Sequence, residues 1–455
     1  MAAIISTQFR VLNAGNFKEE VTEAGNSLYL GIGKPDAWSN SISDLTDTIE
    51  FDPYDTYDNV NEAKQNLLGL KKIGNANISH VVQRYNWASG STYTPWDSND
   101  EDIYDKAFYI ITDEFKVYKC IVAGTSGSTI KPTQTNVSPT AEADGYTWKY
   151  MYTLAVADAE KFLTTSYIPI KTVSEDFVDD AAAEAALTEA DYAQYLNQKA
   201  SRASATAAGI ERIEIVAGGV GYSSAPTITI TGDGSGATAT CTVSSGIVNS
   251  ITVTNKGTGY SIAHISFSGA GDATAHAVIA PPSGHGTDPV QELGAFFIGV
   301  NTQLDGNEGE DITVDNDFRQ ITLIKNPKSG GNLVTAETIN PLKYLDYTSA
   351  GITGTIAADE IISGGTSNAK AFIANVDVSN GRIYYTQNSK SGYGIFQGGE
   401  TVTSSINGGS ATLEATPSVD GEMDLNTGEV LFIENREAIN RSASQIEDLK
   451  LIVEF

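Results

Sequence analysis

The strongest structural signal in this chain is the run Ile213-Glu214-Ile215-Val216-Ala217-Gly218-Gly219-Val220-Gly221-Tyr222-Ser223, which returns as Ile251-Thr252-Val253-Thr254-Asn255-Lys256-Gly257-Thr258-Gly259-Tyr260-Ser261. Each copy continues into an alternating run and then into a glycine-rich turn followed by Ala-Thr-Ala. Alternation with a period of two, broken by glycine, is typical of antiparallel strands. The repeat predicts a small all-β domain in which each Tyr is a large anchor over a barrel or sandwich.

A second, fainter repeat lies towards the carboxyl end. Asp359-Glu360-Ile361-Ile362-Ser363 returns as Gly399-Glu400-Thr401-Val402-Thr403, and both copies are followed by Gly, Ser and Ala. The β-branched and aromatic run Arg382-Ile383-Tyr384-Tyr385-Thr386 lies between them. This segment is also predicted to be all β.

The remaining sequence mixes helical and strand patterns. Ala107–Ile111 and Phe115–Val122 predict a hairpin, and Tyr146–Leu154 predicts a further strand. Apolar residues at helical spacing predict helices over Asn61–Leu70 and over Leu187–Leu196, the latter within an Ala-rich stretch.

These patterns predict a mainly β, multi-domain chain of sandwich-like or barrel-like layers with a minor α/β part. At 455 residues, the length suits about three domains of about 150 residues each. A family resemblance described below covers the sequence on either side of both all-β segments, which implies two insertions in a discontinuous core, and long insertions into surface loops cost little closure entropy. The predicted segments are an N-terminal core that is α+β and then β (1–176), an Ala-rich helical connector (177–208), a first inserted β domain with the tandem Gly-Tyr repeat (209–284), the continued core (285–347), a second inserted β domain (348–418) and C-terminal core strands (419–455).

The net charge of the chain argues against some classes of binding partner. Asp and Glu number 57 against 28 Lys and Arg, which gives a formal net charge of −29. Such a surface repels phosphate backbones and anionic lipid, so neither nucleic acid nor membrane insertion is expected. The first residues lack the features of a secretion signal, and no run reaches the about 18 apolar residues of a membrane span. We expect the chain to begin its life in a cytoplasm.

The residues that carry chemistry show no catalytic pattern. The four histidines lack metal-ligand spacing, and the two cysteines, Cys120 and Cys241, are expected to be buried reduced thiols within strands. There is no nucleophile elbow, Walker loop or Cys-His-Asn set. A pair of glycosidase carboxylates stays possible, because its members can come from any part of a sequence. We predict a protein that is not an enzyme and has no catalytic, cofactor-binding or metal-binding residues.

Three patterns have alternative interpretations. Asp305–Asp311 alternates oxygen ligands around glycines as a Ca²⁺ loop does, but Asn316 stands at the twelfth position, so a solvated acidic loop is favoured over 305–317. Gly219–Tyr222 and Gly269–Asp272 resemble parts of a dinucleotide loop but lack a following helix, so turns are favoured. The four tryptophans could form a sugar platform, although core or interface positions are preferred: Trp38, Trp87, Trp96 and Trp148.

Six short motifs, which we call the six anchors, are ordered along the chain. They are Lys34-Pro35-Asp36-Ala37-Trp38-Ser39-Asn40, Arg84-Tyr85-Asn86-Trp87, Val117-Tyr118-Lys119-Cys120, Asp144-Gly145-Tyr146-Thr147-Trp148-Lys149-Tyr150, Phe318-Arg319-Gln320-Ile321-Thr322-Leu323-Ile324-Lys325-Asn326-Pro327 and Gly428-Glu429-Val430-Leu431-Phe432-Ile433-Glu434-Asn435-Arg436. The set resembles the small baseplate wedge subunit of contractile-tailed, T-even-like bacteriophages, over residues 5–175, 288–345 and 420–455. The two inserted segments are outside the resemblance.

The resemblance implies a structural subunit with no cofactor, no turnover and no small-molecule substrate. It would pair with itself as a homodimer, hold other baseplate wedge proteins, and take part in baseplate assembly and the contraction switch. Its location would be the tail baseplate of the virion, after assembly in the host cytoplasm. The alternative is a glycan-binding tail adhesin that recognises the host through the Gly-Tyr repeats, with a tail-associated polysaccharide hydrolase as a third interpretation. Adhesins of that kind are usually trimeric, so the oligomeric state separates the first two.

Overall fold

The computed structural model describes residues 3–39, 52–173, 177–204 and 208–455. Strands account for 40% and helices for 15% of the chain, which confirms the predicted mainly β class. The chain divides into two compact units: unit 1 (Met1–Gly15, Ser79–Gly299 and Ile452–Phe455) and unit 2 (Asn16–Ile78 and Val300–Leu451). The 209–284 segment belongs to unit 1 and the 348–418 segment to unit 2, while the six-segment division stays a prediction.

The described helices are short, and several begin at a side-chain cap. They are α1 (Thr7–Thr22), α2 (Tyr57–Gln65), α3 (Val156–Phe162), α4 (Asp180–Ala186), α5 (Glu189–Ser204) and α6 (Pro289–Glu292). Thr56 caps α2, Asp179 caps α4 and Asp288 caps α6, each by accepting a backbone N–H of the first turn. Helix α5 contains the predicted Leu196 and confirms a helix in the Ala-rich stretch. Every helix among the described residues is too short or too polar to serve as a membrane span.

The described strands follow in chain order. The first fourteen are β1 (Leu28–Gly33), β2 (Leu67–Ile73), β3 (Ile78–Gln83), β4 (Tyr109–Ile111), β5 (Lys116–Val122), β6 (Thr140–Ala141), β7 (Thr147–Thr153), β8 (Tyr167–Pro169), β9 (Ile210–Ala217), β10 (Ile228–Gly232), β11 (Thr238–Ser244), β12 (Ile247–Asn255), β13 (Ala263–Phe267) and β14 (Thr274–Ile279). The others are β15 (Phe297–Asp305), β16 (Asp317–Lys325), β17 (Lys328–Ser329), β18 (Asn332–Leu333), β19 (Thr338–Ile339), β20 (Lys343–Thr353), β21 (Ile361–Gly364), β22 (Lys370–Asp377), β23 (Arg382–Thr386), β24 (Thr401–Ser404), β25 (Ser410–Val419), β26 (Glu429–Asn440) and β27 (Ile446–Glu454).

Unit 1 is built on antiparallel sheets. The predicted hairpin is confirmed as β4 and β5, and β7 and β6 extend it in the order β4-β5-β7-β6. Apolar side chains of β5 and β7 divide between two clusters, one around Phe108, Val117 and Tyr152 and the other around Tyr118, Cys120 and Trp148. The sheet therefore has apolar residues buried on both faces.

The Gly-Tyr repeat of unit 1 folds by exchange between its two copies. The Tyr222 hydroxyl of the first copy accepts the N–H of Ala273 in the second, and the Tyr260 hydroxyl of the second accepts the N–H of Ala237 in the first. Both rings are buried. The strands form a four-stranded sheet, β10-β13-β14-β9, and a β11-β12 hairpin, which confirms the predicted antiparallel β structure.

Unit 2 contains a five-stranded sheet in the order β19-β2-β1-β16-β26 and a closed barrel in the order β20-β23-β22-β21-β24-β25. The barrel encloses Leu345, Ile362 and Ile373. It confirms the prediction that the segment 348–418 is all β. Its two repeat glutamates act reciprocally. Glu400 accepts the N–H groups of the turn between β21 and β22, whereas Glu360 accepts from Ser404 and from the turn after β24.

One predicted helix is too long and one cysteine is less buried than expected. Helix α2 ends at Gln65, and Leu67–Ile73 is strand β2 rather than the end of a helix over Asn61–Leu70. The apolar spacing continued through Leu67 and Leu70 because β2 is buried on both faces, and such a run also fits a helix. Cys241 lies in β11 as predicted but is only half-buried.

Candidate functional site

Three of the six anchors meet at one cleft in unit 2, which we call the unit 2 cleft. The first anchor follows β1, the fifth lies on β16 and the sixth on β26, and β16 pairs with both β1 and β26. They contribute Trp38, Gln320 and Asn435 to a cavity of about 290 Å³. The other walls come from α2, the residues before it, and the turn after β23.

The chain enters this cleft through a constrained turn. A Cβ at Gly33 would lie 2.8 Å from the carbonyl oxygen of Asn66, so the last residue of β1 has no room for a side chain. The next residue, Lys34, takes a left-handed conformation with φ of 64°, and its N–H donates to the same Asn66 oxygen at 2.9 Å. Such a conformation costs about 1 kcal/mol or more in a residue other than glycine and persists only where neighbouring contacts hold it.

Those contacts come from two lysines, one buried and one half-buried, around one buried carboxylate. Lys34 Nζ lies 2.6 Å and Lys390 Nζ 2.9 Å from Oδ2 of Asp36, whose side chain is 1% exposed. Lys390 Nζ also donates to the Ala37 carbonyl oxygen. Burial lowers the pKa of the Lys34 ammonium, and the neighbouring Asp36 opposes that shift.

A buried asparagine completes the network. Asn388 is fully buried, and its Nδ2 donates to Asp36 Oδ1 and to Asn66 Oδ1, each at 3.0 Å. The carboxylate of Asp36 therefore has a donor on each oxygen, which is the arrangement that makes a buried charge tolerable. Nearby, Ser389 Oγ donates to Glu62 Oε1 at 2.8 Å.

The other three anchors meet in unit 1, where they form an aromatic core. Tyr146 stacks on Trp148 with ring centroids 5.6 Å apart, and Tyr93 meets Trp148 edge-on at 5.5 Å. Tyr118 and Cys120 from the third anchor are fully buried in the same cluster. The three motifs therefore contribute side chains to the core of unit 1. Burial raises the pKa of the Cys120 thiol to about 12, which keeps the thiol protonated and unreactive.

Unit 1 also contains a buried charged centre that the sequence analysis missed. Lys119 Nζ lies 3.0 Å from Glu292 Oε2 and 3.9 Å from the centroid of the Trp96 ring, and both charged side chains are buried. Glu292 also accepts the backbone N–H groups of Gly286, Thr287 and Asp288. The carboxylate thus organises the turn that leads into α6.

His285 lies in this centre, and neither of its ring nitrogens has a hydrogen bond among the residues that the structure describes. Its ring nitrogens are 3.8 Å from Glu211 Oε1 and 3.9 Å from Glu292 Oε2. Burial holds its pKa well below the usual range, and four cations add to this effect: Lys119, Lys256, Lys149 and Arg212. The imidazole is therefore neutral. A glycine on each side of His285 is the only sequence signal here, and it marks a turn rather than a charged centre.

Lys149 completes the centre. Its Nζ donates to the Val137 carbonyl oxygen at 2.6 Å and to Ser201 Oγ at 2.9 Å. Burial lowers the pKa of this ammonium to about 8, and Glu292 opposes the shift. With its donors directed to neighbours of the same unit, the centre joins β5, β7, α5 and the turn before α6.

The other sequence candidates are placed as follows. In the acidic loop, Glu308 accepts the N–H of Asp305 and pairs with Lys71 at 2.8 Å, so this carboxylate is engaged by the chain itself. Among the described residues, no group of three or more His, Cys, Asp or Glu side chains is arranged to hold a metal ion. The two Gly-rich motifs lie between strands, as turns. Of the tryptophans, Trp38 belongs to unit 2 and the others to unit 1.

Comparison with known proteins gives no assignment. A scan against protein-family models finds no matching family, and a search of curated proteins finds no matching relative. A functional proposal therefore rests on the fold, the two groups of anchors, and the exposed surfaces.

Proposed function

We propose that this chain is a structural subunit of a contractile-tail baseplate wedge, which holds neighbouring wedge proteins and takes part in baseplate assembly and the contraction switch. The observation that carries the proposal is the grouping of the six anchors, three in each unit. Motifs dispersed over four hundred residues build two specific sites, an aromatic core and a polar cleft. Because three anchors meet in each site, the anchors have a structural role in the fold. This supports the resemblance to the wedge subunit over a chance match of short motifs.

The net charge fits this role. With a formal charge of −29, free copies repel one another, and this keeps a subunit soluble until its proper partners are present. The same repulsion favours association through a surface with few acidic residues. The first eighteen residues of the chain contain no Asp or Glu, and the exposed Glu454 beside them is paired with Arg10.

We assign the homodimer contact to an N-terminal stripe formed by Ile5, Phe9 and Leu12. Phe9 and Leu12 are 52% and 54% exposed on one face of α1, while Val11 and Ala14 on the other face are buried. Ile5 precedes the helix and is 68% exposed. Burial of each large apolar side chain contributes about 1.5–3 kcal/mol. The occupant we propose is the same stripe of a second copy, since a two-fold contact is self-complementary and the first eighteen residues of the chain contain no Asp or Glu.

The test is the mass of the protein in solution by light scattering. We expect twice the chain mass of 48.2 kDa for the wild type, and the single-chain mass for a Phe9→Glu, Leu12→Glu double variant. Val156→Glu is the matched control, because it adds an acid at an exposed apolar position of unit 1 outside the stripe, and it should remain dimeric. A three-chain mass would contradict the wedge proposal and favour the adhesin. Co-assembly of the dimer with wedge proteins of the same virion is the second test.

A further inference from the structure

We propose that the buried side chains of Lys119 and Glu292 in unit 1 join to form an amide cross-link within the chain. Lys119 Nζ attacks Cδ of Glu292, a carbon–nitrogen bond forms, and Oε2 leaves as water. An ammonium and a carboxylate together contain the atoms of the amide and one water, so the reaction needs no oxidant, cofactor or other reactant. This inference concerns a modification site and does not rest on the proposed structural role.

The first argument is that the two groups are close together and shielded from water. Lys119 Nζ lies 3.0 Å from Glu292 Oε2, and the side chains are 0% and 3% exposed. Since a carbon–oxygen bond measures about 1.2 Å, Nζ is at most about 4.2 Å from Cδ, near the about 3–3.5 Å of a reactive contact. The Trp96 ring covers the amine, with its centroid 3.9 Å from Nζ. Neighbours fixed in this way react as if highly concentrated, and exclusion of water disfavours the reverse hydrolysis.

The second argument is a set of backbone donors around Oε1 of Glu292. The N–H groups of Gly286, Thr287 and Asp288 lie 2.8, 2.9 and 3.1 Å from this oxygen, and that of Gly286 is also 3.0 Å from Oε2. Attack at Cδ places negative charge on Oε1, and fixed donors at these distances stabilise such a charge. The turn is held in place, because Gly286 has a φ of +85° and a Cβ there would lie 2.2 Å from Lys149 Cε.

The third argument is a neutral imidazole beside the leaving oxygen. Two protons must pass from the Lys119 ammonium to Oε2 of Glu292, and one can pass along the hydrogen bond between them. His285 Nδ1 is 3.9 Å from Oε2 and can carry the other, because neither ring nitrogen has a hydrogen bond among the described residues. A shift of less than about 1 Å brings this nitrogen within hydrogen-bond range. Burial lowers the pKa of the Lys119 ammonium, which favours release of its proton, although Glu292 and Glu211 oppose that shift.

The cross-link would also remove a cost of the folded chain. Two buried charges lose their hydration, and the attraction between them does not always offset that loss, whereas an amide is neutral. The bond would connect β5 to α6 across 173 positions of sequence, and the loop that it closes contains the whole Gly-Tyr segment 209–284. A covalent bond that closes so long a loop restricts the unfolded chain and so favours the folded one.

The experiment measures the intact mass of the purified full chain and then sequences its tryptic peptides by tandem mass spectrometry. We expect a mass one water below that of the sequence, and a branched peptide that joins Lys119 to Glu292 and is not cut after Lys119. Lys119→Arg should have its full sequence mass. Lys106→Arg is the matched control, because Lys106 pairs with Asp100 in the same unit where water reaches both side chains, and this variant should still lose one water.

His285→Gln tests the proton path. When the chain is produced by cell-free synthesis and sampled over time, loss of water should be slower in this variant by about tenfold or more. If Lys119→Arg does not fold, the branched peptide of the wild type still decides the outcome. The proposal is overturned if the wild type has its full sequence mass, or if His285→Gln loses water as fast as the wild type. It is also overturned if the loss persists in Lys119→Arg, since the water then comes from another site, such as a cyclic imide at Asp144-Gly145.

Discussion

Asp36 holds two lysines in place, and its removal would leave the buried Lys34 and the half-buried Lys390 with one partner fewer. The carboxylate is almost fully buried between Lys34 and Lys390 and also accepts from Asn388. A buried ion pair adds little net stability compared with an apolar core, but loss of one member leaves an uncompensated charge. The network therefore matters for specificity, since it fixes the left-handed turn that opens the cleft.

We predict that Asp36→Asn destabilises unit 2 by about 3–5 kcal/mol, the range measured when one member of a buried pair is removed. Hydrogen exchange of the amides in β1 and β16 as a function of urea would measure the change. Asp55→Asn is the control at an exposed position and should change stability by less than about 0.5 kcal/mol. Equal effects of the two substitutions would show that the network contributes nothing specific.

His285 makes the stability of unit 1 depend on pH. In the unfolded chain its imidazole binds a proton below about pH 6.5, whereas in the folded chain burial keeps it neutral to lower pH. The unfolded state then binds more protons, so the free energy of unfolding falls as the pH falls, by up to about 1.4 kcal/mol per pH unit. The contribution of neutral His285 is fully present above about pH 6.5 and is lost below it.

We predict that the stability difference between the wild type and His285→Gln decreases as the pH falls from about 7.5 to about 5, by at most about 2 kcal/mol. Urea unfolding followed by the fluorescence of Trp87, Trp96 and Trp148 would report on unit 1. His264→Gln removes an exposed histidine of the same unit and serves as the control. A difference that stays constant over this range would contradict a neutral, buried imidazole.

These residue contacts could not be predicted from the sequence. Asn388 contacts Asp36 and Asn66 across more than three hundred positions of sequence. Lys119 contacts Glu292 across 173 positions. No local period connects such residues. The sequence did identify Lys34–Asn40 and Phe318–Pro327 as notable, but only the pairing of β1 with β16 shows that they share a cleft.

At the scale of elements, the exchange between the two Gly-Tyr copies explains where glycine is required. A Cβ at Gly257 would lie 2.5 Å from the Ser235 carbonyl oxygen and 2.6 Å from the Ala237 nitrogen, and its φ is +62°. Gly269 has a φ of +95° but nothing within 4 Å of a Cβ. Both positions require a positive φ, but only at Gly257 do backbone atoms of another segment leave no room for a Cβ.

We predict that Gly257→Ala destabilises strands β9 to β14 by about 1–3 kcal/mol more than Gly269→Ala does. Both variants carry the cost of a left-handed alanine, about 1–2 kcal/mol, so their difference isolates the steric contact. Hydrogen exchange of the amides in these strands would measure it. Equal destabilisation would contradict the close approach of the two copies.

The element predictions succeeded where the pattern was local. The β4-β5 hairpin and the strands of both repeats follow from alternation and glycine-rich turns. The boundary between α2 and β2 did not follow, because a strand buried on both faces carries no alternation to distinguish it from a helix. The exchange of Tyr222 and Tyr260 between copies also has no local signature, since either tyrosine could have packed on its own copy.

At the scale of the whole molecule, the sequence predicted a mainly β chain of several parts but not how its segments group. Residues 16–78 belong to the same unit as 300–451, while the residues between them form most of the other unit. Both units are rich in β-forming and acidic residues, so amino-acid composition does not mark the boundaries between them. The grouping depends on strand pairing between distant segments, such as β1 with β16 and β2 with β19.

Net charge gives the last prediction, which concerns self-association. Two copies that each carry −29 repel at a distance, and salt screens that repulsion, since the Debye length falls from about 10 Å at 0.1 M to about 3 Å at 1 M. Contact through the apolar side chains Phe9 and Leu12 gains no charge attraction that salt could weaken, since the nearby Arg10 already pairs with Glu454 of its own chain. We therefore predict that the dimer dissociation constant decreases by about tenfold between about 0.05 M and 0.5 M NaCl, as measured by analytical ultracentrifugation.

The direction of the salt effect identifies the interface. Val156→Glu should show the wild-type trend, whereas Phe9→Glu with Leu12→Glu should stay weaker than the wild type at every salt concentration, because it also loses apolar burial. If the dissociation constant rises with salt instead, the two copies are held by complementary charges on other parts of their surfaces. That outcome would leave the homodimer in place but move its contact away from the stripe.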